Sequence, residues 1–86
     1  MLHVECRREG TSYDGTPMYR VTVKDGINTS IKDGTESASY IIWAPDRKKA
    51  MKLATLLFKA GFYGGYYIYS KRLEKGLLED IIYLRL

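Results

Sequence analysis

Eighty-six residues leave room for one small domain with a modest core. With 45% hydrophobic and 28% charged residues, the composition is that of a folded protein and not of a disordered chain. The net charge of +4 is uneven: residues 1–45 hold five Lys/Arg against six Asp/Glu, and residues 46–86 hold nine against four.

LHVECRR (2–8) alternates Leu2, Val4 and Cys6 against His3, Glu5 and Arg7, the pattern of a half-buried strand. GTSYDGTP (10–17) is dense in turn formers. MYRVTVK (18–24) alternates again, with Tyr19, Val21 and Val23 on one side, and its β-branched residues suit a strand. Asp25-Gly26 signals a hairpin turn. INTSI (27–31) reads as a short edge strand, and Asp33-Gly34 as another turn. SASYIIWA (37–44) alternates little, which predicts a central strand covered on both faces.

Pro45 fits the first position of a helix, and Asp46 places negative charge at its positive end. The helix is expected over 45–60, with Gly61 as its C-terminal stop. Ala50, Leu53, Ala54 and Leu57 share one face, and Lys48, Lys52, Thr55 and Lys59 the opposite one. Gly64-Gly65 turns the chain into a strand at YYIYSK (66–71). RLEKGLLED (72–80) reads as a connection, and IIYLRL (81–86) as a last strand. A continuous second helix from Ser70 is the rival; Gly76 and the β-branched Ile81-Ile82 pair weigh against it. The expected fold is α+β, with order β-β-(β)-β-α-β-β. An antiparallel sheet of four to five strands carries one amphipathic helix on one face, in a single compact domain over 1–86.

One helix covers one face of a sheet, so the period of two assigns the other. If Leu2, Val4, Cys6, Val21, Val23, Tyr66, Ile68, Ile82 and Leu84 face the helix, the open face is basic and aromatic. It then carries Arg7, Arg20, Lys24, Tyr67, Tyr69, Lys71, Tyr83 and Arg85, with Glu5 as its acid. Exposed tyrosines between basic residues serve either single-stranded nucleic acid or a protein partner. They also stabilise an exposed sheet with no ligand at all.

No catalytic set can be assembled. His3 is the single histidine and Cys6 the single cysteine, which leaves no internal disulfide and no His/Cys zinc site. Glu79-Asp80, as neighbours in a strand, would point to opposite faces. No metal or cofactor is expected, and the chain is read as not an enzyme. GFYG (61–64) matches the G-x-x-G of KH domains, but a helix stop followed by a tight turn accounts for it.

YIIWAPDRKKAMKLATLLFKAGFYGGYYIYSKR with IIYLRL resembles half of a SPOR-type domain, a strand–helix–strand unit with helix alanines and an A-G-[FY] helix end. That resemblance implies peptidoglycan binding. Residues 18–60 are similar in order to the arm-binding domains of tyrosine recombinases, with strands, then one helix, and basic sheet residues. That likeness implies a sheet laid in the DNA major groove.

The function favoured is a small protein-interaction or inhibitor module of the kind phages and mobile elements encode, binding through the open Tyr/Arg/Lys face. The alternative is a nucleic-acid-binding module with Lys48, Lys52, Lys59, Lys71 and Arg72 as phosphate contacts. A homodimer through the open sheet face or an edge strand is a further expected outcome. No apolar run approaches the roughly 18 residues of a membrane span. MLHVECRREG becomes charged too early for a secretory signal. A cytoplasmic chain that does not engage a membrane is therefore expected.

Overall fold

The alternation of apolar and polar residues in the first half forms strands, as expected. A computed structural model describes residues 2–26 and 35–85, with the backbone alone described at Thr35, Leu84 and Arg85. Its elements are β1 (Leu2–Thr11), β2 (Pro17–Gly26), β3 (Thr35–Trp43), α1 (Arg47–Lys59), β4 (Gly65–Ile68) and α2 (Lys71–Arg85). The fold is α+β, with a four-stranded sheet in the order β1-β2-β3-β4.

β1 and β2 pair antiparallel, with Val4 opposite Val23 and Cys6 opposite Val21. β2 and β3 pair antiparallel, with Val21 opposite Tyr40 and Tyr19 opposite Ile42. Asp25 and Gly26 lie inside this ladder, opposite Glu36 and Thr35, and not in a turn. The expected strand at 27–31 and the turn at Asp33-Gly34 fall outside the described residues.

β4 departs from the expected antiparallel sheet. It runs parallel to β3, with Ile42 opposite Tyr67, so the sheet is mixed. Parallel neighbours need a crossover of a dozen or more residues, and α1 supplies it.

α1 begins two residues later than expected. Asp46 is its N-cap, with Oδ1 accepting from the Lys49 amide at 2.8 Å. Pro45 therefore precedes the cap. The C-terminal stop does fall at Gly61, where φ is 90°. The Gly61 amide donates to the Phe58 carbonyl and the Phe62 amide to that of Leu57, the paired bonds of a Schellman end. Ala50, Leu53, Ala54 and Leu57 are all buried, together with Tyr19, Val21, Val23, Tyr40, Ile42 and Ala44 from the sheet.

The last fifteen described residues form a helix, not a connection and a strand. Ser70 caps it, its Oγ accepting from the Leu73 amide at 3.0 Å. Leu73, Leu77 and Ile81 repeat every fourth residue and turn inward, with Leu77 buried and the other two packed on the core. This burial outweighs the cost of Gly76, about 1 kcal/mol relative to alanine, and the weak helix propensity of the isoleucines. Ile82, expected inward, is exposed.

α2 is tied to α1 by Glu74. Lys52 Nζ lies 2.8 Å from Glu74 Oε1, and the Tyr69 hydroxyl donates to Oε2. The Lys52 bond first, and the Tyr69 bond second, hold the Glu74 carboxyl below its ordinary value of 4.5. The edge strand β1 is interrupted by a register shift between Arg8 and Gly10. Its Cys6 carbonyl accepts from the Arg47 guanidinium.

Two outcomes follow from this packing. Leu53→Ala leaves a hole under the sheet and is expected to lower stability by about 2–5 kcal/mol in urea unfolding. A depressed carboxyl stabilises the fold above its unfolded value and loses that contribution as pH falls through its folded value. The Glu74 clamp should therefore weaken progressively below about pH 4.5. Glu74→Gln should flatten the acid limb of a thermal-melt pH series.

Candidate interaction face

The register of β4 decides which aromatics face outward. Tyr67 pairs with Ile42, whose side chain is in the core, so Tyr67 turns to the helix side. Tyr66 and Ile68 pair with Ile41 and Trp43 and turn to the open side. The expected assignment is therefore inverted. Tyr66 and Ile68 are 75% and 72% exposed, whereas Tyr67 and Tyr69 are half-buried against the core.

Each inward tyrosine has a partner for its hydroxyl. That of Tyr67 donates to the Gly64 carbonyl at 3.0 Å, and its ring folds back over Gly65. A Cβ at Gly65 would lie 3.1 Å from that ring on a backbone with φ of 114°, so the Gly64-Gly65 turn is part of the seat for Tyr67. Tyr69 is held by Glu74, and Lys49 Nζ lies 6.0 Å from the centre of its ring. Tyr40, fully buried beneath them, donates to the Phe62 carbonyl at 2.6 Å. Burial pushes its phenol up to about 12, against the Gly64 amide.

The open face carries Arg7, Arg20 and Lys24, as expected, and all three are exposed. Three other expected members lie elsewhere. Lys71 starts α2, Tyr83 is exposed on α2, and Arg85 belongs to the end of the same helix. The alternative phosphate set is divided. Lys48, Lys52 and Lys59 are exposed on α1, while Lys71 and Arg72 open α2. Lys52 is taken by Glu74, and Lys59 lies in the last turn of α1, where the helix dipole favours a cation.

Besides Tyr66 and Ile68, two further members of the open face were not anticipated. Trp43 ends β3 and stacks on Tyr66, with ring centroids 6.2 Å apart and planes at 29°. Glu9 adds a second acid beside Glu5. Its Oε1 accepts from Arg20 Nε at 2.7 Å and from Arg7 Nη2 at 2.6 Å. The Arg20 bond first, and the Arg7 bond second, hold its carboxyl below the ordinary value. The alternation Glu5, Arg7, Glu9 was the signal available for it.

Beside this stack, the β1–β2 loop closes a hollow of about 420 Å³ lined by Ser12, Tyr13, Asp14, Thr16, Trp43 and Ile68. Asp14 braces the loop by accepting from the Ser12 hydroxyl and, at 3.0 Å, from the Thr16 amide. These bonds hold its carboxyl at about 2. Tyr13 projects fully into solvent at the loop tip. The result is an apolar and aromatic half, around Trp43, Tyr66 and Ile68, next to a half in which two arginines share one carboxylate. No group of metal-ligating side chains is found among the described residues.

The two faces of β4 should respond differently to truncation. Tyr67→Ala is expected to destabilise the fold by about 2–4 kcal/mol in urea unfolding. Tyr66→Ala, which loses only the exposed stack on Trp43, should cost about 1 kcal/mol or less. No family model, curated protein or solved structure matches the chain, and its function has to be read from this surface.

Proposed function

We propose that the chain is a small non-enzymatic interaction module that engages a protein partner through the open sheet face. In its inhibitor form, as small phage and mobile-element chains provide, it would act by occupying that partner's surface. The observation that carries this proposal is the patch of exposed Tyr66 and Ile68 with half-buried Trp43, beside the Arg7–Glu9–Arg20 cluster. Contiguous exposed apolar surface rimmed by polar groups is characteristic of interaction sites. Trp, Tyr and Arg are the residue types that dominate the centres of protein interfaces. The patch sits on a paired sheet, so little conformational freedom is lost when a partner covers it.

Glu9 bears on the kind of partner. It neutralises much of the field of Arg7 and Arg20, which makes the face a poor phosphate track and a good mixed-charge rim. No described helix is long and apolar enough to cross a membrane.

The second proposal is nucleic-acid binding. It is favoured by Lys48, Lys71 and Arg72, for which no ion pair is found among the described residues. The likeness of residues 18–60 to arm-binding domains would bring DNA to the open face instead.

Trp43→Ala combined with Ile68→Ser should leave the circular dichroism and melting cooperativity intact. Proteins retained from a lysate by the immobilised chain, but not by this variant, should bind it again once purified. A partner held equally by both would overturn the proposal. Fluorescence anisotropy of labelled DNA and RNA should show no tight binding at moderate salt; sub-micromolar binding with a steep salt dependence would put the second proposal first.

A further inference from the structure

α2 carries a second surface that the open face does not use. Arg72, Gly76 and Asp80 follow one another at intervals of four, so they line one side of the helix. With Ser70, Leu73 and Leu77 they border a shallow groove of about 380 Å³. Arg72 and Asp80 are both exposed, and neither has an ion pair among the described residues. They stand eight residues apart, about 12 Å along the axis, too far to pair with each other.

Gly76 is not required by the chain's own packing. A Cβ built on it meets nothing within 4 Å. A glycine inside a helix is nevertheless about 1 kcal/mol less favourable than alanine. Lys71 and Arg72 in the first turn face the positive end of the helix dipole, where Glu74, already engaged by Lys52 and Tyr69, is the acid of that turn. Both features become favourable if another helix crosses at Gly76 with its carboxylate near the start of α2.

We infer that α2 is a homodimerisation helix, crossing the same helix of a second copy antiparallel at Gly76. A two-fold axis through Gly76 carries position 72 onto position 80. Arg72 then meets the partner's Asp80, and Asp80 meets the partner's Arg72. The two glycines let the backbones approach closely at the crossing. The occupant is a second copy because the pattern of cation, glycine and carboxylate at equal spacing is complementary to itself under that rotation. An unrelated helix has no reason to match it. Tyr83, 77% exposed, lies on the same side of the helix and covers the start of the opposing helix. The dimer leaves the open sheet face of both copies free.

Sedimentation equilibrium across a concentration series tests this. The wild-type mass should rise from the 9.9 kDa monomer towards twice that value, and fall back as salt is raised. Arg72→Asp and Asp80→Arg should each weaken association by roughly tenfold or more, since each turns two attractive pairs into repulsive ones. Mixing the two variants should restore association, because every pair is then opposite in sign. That rescue also shows that both variants are folded. A chain that stays monomeric throughout would overturn the inference. So would a dimer indifferent to these changes, or one lost on Trp43→Ala instead.

Discussion

The placement of Tyr67 opposite Ile42 is the constraint on which the surface depends. In a strand of only four residues, one pairing decides every side chain. Had Tyr66 stood opposite Ile42, the core would have gained Ile68 and the open face would have lost its stack on Trp43. The helix side could accept Tyr67 and Tyr69 because each hydroxyl finds an acceptor there, the Gly64 carbonyl for one and Glu74 for the other. A buried tyrosine without such an acceptor would be far less favourable than an isoleucine.

How much could be read from the sequence follows from element length. β1 and β2 are ten residues each, long enough for the period of two to be unambiguous, and the outward places of Arg7, Arg20 and Lys24 follow directly. α1 shows its buried stripe, its acidic cap and its glycine stop together, so only its first turn was misplaced. β4 gives four residues, two of them tyrosines adjacent to each other, and residue type does not say which is inward. Its parallel direction depends on where α1 delivers the chain, which local sequence does not encode. In α2, Leu84 and Ile82 mimic a strand over a short window, and the longer repeat of Leu73, Leu77 and Ile81 was obscured by Gly76. Trp43 was hidden because β3 is apolar on both sides near its end.

Two glutamates do related work on opposite sides of the sheet. Glu9 gathers Arg7 and Arg20 on the open face, and Glu74 gathers Lys52 and Tyr69 between the helices. Each gives a weak link taken singly, since exposed ion pairs contribute little. Their effect is organisational. One sets the charge that a ligand would meet on the sheet, and the other fixes the terminal helix against α1.

The outer edge of β1 has a consequence for behaviour at high concentration. Ten residues of unpaired strand would normally template another strand and seed fibres. Here the register shift near Gly10 bends the far end, Glu5, Arg7 and Glu9 charge its open face, and the Arg47 guanidinium occupies the Cys6 carbonyl at the middle. A strand approaching from outside would find that acceptor already taken and the straight run cut short. That edge of the sheet is thus a poor template for a further strand.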